Sequence, residues 1–66
     1  MKQTTLDALL EAYVHLHQIV EKLYEAHDKA AANNDDEDAS LLVSRADRLY
    51  EEVENLEFII SELESR

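Results

Sequence analysis

Apolar residues recur along this chain in alternating steps of three and four, in two long runs separated by a short polar stretch. The first run is Leu6, Leu9, Tyr13, Leu16, Val20, Leu23, His27 and Ala30; the second is Ala39, Leu42, Ala46, Leu49, Val53, Leu56, Ile60 and Leu63. A 3.5-residue repeat keeps one face of a helix against a partner helix. The two runs mirror each other. The residue numbers of Leu6 and Leu63, of Leu9 and Ile60, and of each following pair to Ala30 and Ala39 add to 69. One turn centred between Asn34 and Asp35 brings all eight layers into register. The pattern therefore predicts an all-α fold, an antiparallel two-helix hairpin forming a single domain over residues 1–66.

Local signals place the boundaries. Met1 to Gln3 is expected to fray. Thr4 with Asp7 three residues later resembles a capping box, which starts helix 1 near residue 5 and carries it to about residue 32. Asp7 and Glu11 then lie near the positive end of the helix dipole, and Glu25 with Lys29 stands in the favourable i, i+4 order. Asn33-Asn34-Asp35-Asp36 is the turn signal. Asn tolerates the left-handed conformation that ends a helix where Gly is absent, and Asp35 or Asp36 can N-cap helix 2 over about 36–64. The turn is 33–35.

Apolar residues also spill beyond the seam, as they do in a helix of a larger bundle. Mirroring the numbers places Ile19 opposite Tyr50 and Ala26 opposite Val43 on one flank, with Ala12 beside them. It places Leu10 opposite Ile59 on the other flank, where His17 faces Glu52 and Tyr24 faces Arg45. Ordering helical residues costs on the order of 1.5 kcal/mol each, more than one seam offsets. A homodimer forming a four-helix bundle, with the Ile19, Ala26, Val43 and Tyr50 flank inward, supplies the missing burial. Helices from a different protein are the rival source.

Charge narrows the partners. Sixteen acids against six bases give a formal net charge of −10. Such a chain repels nucleic-acid phosphates, so no direct nucleic-acid binding is expected; an acidic surface instead attracts basic proteins. The chain has no Gly, Pro or Cys, which excludes glycine-rich phosphate loops, disulfides and thiolate chemistry. No apolar run reaches the roughly 18 residues of a membrane span, and the N-terminus lacks a signal-peptide apolar core. A cytoplasmic location without membrane contact is the expectation.

Candidate chemistry is sparse, and no catalytic, metal or cofactor-binding residues are expected. His15 and His17 point to different faces and cannot share a helical metal site. His27 holds a seam position near the turn, where a ring buried neutral would make acidification loosen that end. The acidic run Asp35–Asp38 lacks the spacing of a calcium loop. Glu51, Glu54 and Glu57 form an acidic face on helix 2, with a spacing shared by some nucleotide pyrophosphatases and by most acidic helices. Helical Ser40, Ser44, Ser61 and Ser65 have no base and orienting group. Phe58 is the residue the bundle does not account for. With Leu10, Val14 and Ile59 it is expected to form an apolar partner-binding patch at the terminus-bearing end; Leu41 marks a smaller patch near the turn.

Two function classes remain for a non-enzymatic hairpin. One is a small adaptor or chaperone-like factor that covers an amphipathic helix of its partner. In length and layout the chain resembles the two-helix co-chaperones of type III secretion needle subunits, a likeness of architecture without a shared motif. The alternative is an acidic nucleic-acid-mimicking inhibitor, of phage type, that occupies the basic site of a DNA- or RNA-binding protein. A ROP-like RNA-binding bundle has a similar layout but calls for more Lys and Arg than this chain has.

Overall fold

The computed structural model describes residues 2–65, which form two α-helices packed antiparallel. Helix α1 is Gln3–Ala32 and helix α2 is Asp36–Glu64. The hairpin is 48 Å long and 14 by 12 Å across, as 30 residues at about 1.5 Å each require. No Gly or Pro interrupts either helix.

The seam is the core. All sixteen stripe residues are buried or half-buried, and the seven fully buried residues (Val20, Ala30, Ala39, Ala46, Val53, Leu56 and Ile60) all belong to it. No large side chain among the described residues is sealed completely. The chain exposes 5121 Å², whereas a compact monomer of this size exposes about 4,300 Å². A single seam between two rods leaves each helix open on three sides.

The turn end is well terminated. Asn34 takes the left-handed conformation at φ 63°. Asp35 N–H donates to the Ala30 carbonyl at 2.9 Å and Asn34 N–H to the Ala31 carbonyl at 3.1 Å, the paired closure of a Schellman motif. Asp36, Glu37 and Asp38 occupy the first turn of α2, where carboxylates offset the positive helix end. Asp35 holds the N-cap position without a side-chain cap bond, so backbone closure and dipole matching define this end rather than an aspartate cap. Asn34→Val should cost about 1–2 kcal/mol, because a β-branched residue is strained in the left-handed region. Asn34→Gly should be tolerated; thermal melts of the two variants check both.

The terminus-bearing end differs from the sequence expectation. Met1 lies outside the described residues. Gln3, expected to fray, is helical, and α1 starts there instead of near residue 5. The Thr4–Asp7 box does not form. Lys2 is the N-cap and makes no side-chain cap bond, while the Gln3 side-chain amide donates to Asp7 Oδ1 at 2.8 Å. Nothing before Thr4 breaks a helix, and each residue added gains a backbone bond once the helix is nucleated. The earlier start leaves no acid in the first turn of α1, so Asp7 and Glu11 sit past the strongest part of the dipole. Glu25 and Lys29 form no ion pair; the acid–base side-chain contacts among the described residues are His17–Glu21 and His27–Asp28, each at 3.2 Å.

Candidate protein-binding surfaces

The hairpin has two long sides flanking its seam, and three observations show which residues share each. Tyr24 Oη donates to Asp47 Oδ1 at 2.5 Å. Tyr50 lies close enough to Tyr24 to act on its ionisation. Leu10 and Tyr13 line one groove with Glu57, Ile60, Ser61, Glu64 and Ser65. Residues that directly follow a seam position therefore lie together. On α1 these include Leu10, Val14, His17 and Tyr24; on α2 they include Val43, Asp47, Tyr50, Glu57 and Glu64. This is the tyrosine side. Residues that directly precede a seam position share the opposite, isoleucine side: Ala12, Ile19 and Ala26 with Asp38, Arg45, Glu52 and Ile59.

Two sequence-based groupings are corrected. Ile59 is two residues from both Glu57 and Ser61, a rotation of about 200° on an α-helix, so it faces away from Leu10. Of the four residues expected in an apolar patch, Leu10 and Val14 follow seam positions on the tyrosine side, Phe58 borders Glu54 and Glu57 of that side, and Ile59 lies on the other side. The expected dimer flank is likewise divided, with Ile19 and Ala26 on the isoleucine side and Val43 and Tyr50 on the tyrosine side. Tyr24 bonds to Asp47 and does not face Arg45. His17 pairs with Glu21 on its own helix at 3.2 Å, not with Glu52.

On the tyrosine side, near the termini, apolar and acidic groups alternate across both helices. The groove under Leu10 and Tyr13 measures about 510 Å³. Glu57 and Ser61, on its rim, also border Phe58 together with Glu54. Tyr13 continues into a second depression with Val14, His17, Gln18 and Glu21; its ring lies 6.1 Å from that of His17. Among the described residues Phe58 is the most open large apolar side chain, 67% exposed. The candidate acidic face and the candidate apolar patch, expected as separate features, thus adjoin at Phe58. Glu54 and Glu57 border Phe58, and Glu51 lies two turns before it. Tyr13, Ile60, Ser61 and Glu64 complete the surface; their seam or seam-following positions were the available signal.

Charges are segregated between the sides. Asp7, Glu21, Asp28, Asp36, Asp47, Glu54, Glu57 and Glu64 all fall on the tyrosine side by heptad position, with no base among them. Lys22, Lys29, Arg45 and Arg48 all fall on the isoleucine side, against Asp38, Glu52 and Glu62.

The Asp47 carboxylate, by accepting the hydroxyl's hydrogen bond, raises the Tyr24 pKa above its usual 10.0. A raised folded-state pKa favours the protonated form, so this contribution is present below pH 10.0 and is lost as pH climbs through the folded value. Asp47→Ala should return the Tyr24 titration, followed by tyrosinate absorbance, toward 10.0. Overlapping curves for variant and wild type would mean that the bond does not form in solution.

The remaining candidates are dispersed. Among the described residues no three His, Asp or Glu side chains converge as a metal site. Asp35–Asp38 line a shallow depression at the turn. The His27 ring has Asp28 at 3.2 Å and its side chain is 31% exposed, so it is half-buried at the seam edge and not sealed. Leu41 is exposed near the turn, on the isoleucine half of α2. No described helix is long and apolar enough to cross a membrane.

No family model matches this chain, and no curated protein or solved structure is significantly similar to it.

Proposed function

We propose that this chain is a non-enzymatic adaptor or chaperone-like factor that binds an amphipathic helix of a partner protein on its tyrosine side. The observation that carries the reading is the groove under Leu10 and Tyr13, with Phe58 and Val14 open beside it and Glu54, Glu57 and Glu64 along it. An apolar floor edged by carboxylates suits a helix with one apolar stripe and Lys or Arg on its borders. Two hairpins associate into a four-helix bundle in this reading, which covers seam-adjacent surface that one hairpin leaves open.

The test uses a synthetic basic amphipathic helix carrying one Trp, and a scrambled peptide of the same composition. The chain has no Trp, so peptide emission reports binding alone. Phe58→Ala and the pair Glu54→Lys, Glu57→Lys should each weaken binding by roughly tenfold, as loss of a buried anchor or reversal of charge does. Equal binding of the scrambled peptide, or indifference to Phe58→Ala, would overturn the reading.

The segregation of eight carboxylates onto one side favours a second reading, an acidic mimic of nucleic acid. Such a protein would lose its partner steeply with added salt and tolerate Phe58→Ala. Competition with duplex DNA for a basic DNA-binding protein, measured across a salt series, separates the two.

A further inference from the structure

We infer that a second copy of this chain covers the isoleucine side, running antiparallel with its turn at the opposite end and with the two Ile19 side chains meeting on the twofold axis. This rests on the four-helix reading above and adds its surface, direction and register. The tyrosine side cannot self-associate in this way, because its eight carboxylates would face one another with no base among them. The isoleucine side holds both signs. Its four bases take no part in the acid–base contacts among the described residues, which are those of His17 and His27.

The order of groups along that side selects the direction. Lys22, Lys29, Arg45 and Arg48 occupy the turn half with Asp38 as its one acid, whereas Glu52, Ile59 and Glu62 lie toward the termini. A parallel pair of hairpins sets Lys22 of each copy at the level of Arg45 and Arg48 of its partner. An antiparallel pair sets the basic half of each copy against the other half of its partner.

Register follows from symmetry about Ile19. On α1, Ala12 and Ala26 are equidistant from Ile19, so each alanine meets the other across the axis, and their small side chains allow close approach. The level of Ile19 on α2 is residue 50, its mirrored number in the hairpin seam, so one axis serves both helices. About that level, Leu41 meets Ile59 and Arg48 meets Glu52, each pair occurring twice. Asp38 meets Glu62, the one like-charged pair in this arrangement, and Lys29 lies within about 3 Å of the Asp38 level along the axis. Ile19, 48% exposed in one hairpin, becomes central, and Leu41 and Ile59, both exposed, become covered. A face of 48 by 14 Å buries on the order of 1,300 Å² in total, above the roughly 1,000 Å² of a specific interface. The Leu10, Tyr13 and Phe58 surface stays open at both ends of the assembly.

Sedimentation equilibrium of the whole chain reads the association, and Ile19→Cys reads the geometry, since the chain has no other cysteine. The expected result is a dimer whose Ile19→Cys form cross-links to itself under mild oxidation. Arg48→Glu should weaken that dimer by about tenfold or more, and Arg48→Glu with Glu52→Arg should restore it, as complementary charge swaps do. Circular dichroism confirms that each variant remains helical. A dimer without the cross-link and indifferent to Arg48→Glu would overturn the surface and register while leaving the four-helix reading standing. A monomer at every concentration would overturn both, as would a monomer that binds RNA through these four bases.

Discussion

Val53→Asp is expected to abolish the hairpin. Val53 is 2% exposed in the middle of α2 and belongs to the seam that supplies every fully buried residue. The seam positions around it, Leu16, Val20, Leu49 and Leu56, are all apolar, so a carboxylate there loses its water without gaining a donor. That costs on the order of 3 kcal/mol or more, against a total near 5 kcal/mol for a small domain. With seven buried residues and no second layer within the chain, nothing compensates. Far-ultraviolet circular dichroism should show most of the helical signal lost and no cooperative melt, while Val53→Ile keeps both. A cooperative melt retained in Val53→Asp would show that stability comes from somewhere other than this seam.

Ala46→Leu should produce the next largest loss, by overfilling rather than by charge. Ala46 is 0% exposed, and three of the eight seam residues in the turn half are alanines, Ala30 and Ala39 being buried as well. Small side chains let the two helices approach closely beside a turn of only Asn33, Asn34 and Asp35. A leucine forced into that layer, level with Leu23, must push the helices apart or take a strained rotamer. Overpacking of this kind costs about 1–3 kcal/mol, and each kcal/mol lowers the melting temperature by about 4–8 °C in a domain this small. Ala32→Leu, at an exposed position near the same end, is the control and should leave the melt nearly unchanged. A raised melting temperature in Ala46→Leu would mean that the helices can separate at this layer without penalty.

The proposed binding surface was only partly legible in the sequence. Phe58 stood out because an aromatic ring lay opposite the apolar stripe, and Leu10 and Val14 because they extended that stripe sideways. Ile59 was grouped with them because it follows Phe58 and shares the level of Leu10 along the hairpin. Sharing a level is not sharing a side. The cap at Thr4 failed for a different reason. A capping box is a local signal, and with no helix breaker before it the helix continues to Gln3. Asn34 was readable because its left-handed backbone reflects a preference of the residue itself.

What the sequence determined by itself was the seam and its register. Those are matters of spacing along an axis, and a 3.5-residue repeat mirrored about one polar turn admits a single way to fold back. Only the tertiary structure decided which residues share a side. In an antiparallel neighbour the chain runs the other way, so seen from one end the two helices wind their residues in opposite senses. Mirrored numbers therefore meet at one height but fall on opposite flanks away from the seam. The Tyr24–Asp47 bond and the groove that joins Leu10 to Glu57 and Glu64 reveal this. That rotation places the bases with Ile19 and Ile59 and the largest group of carboxylates with Leu10 and the two tyrosines Tyr24 and Tyr50, giving one hairpin two chemically different sides.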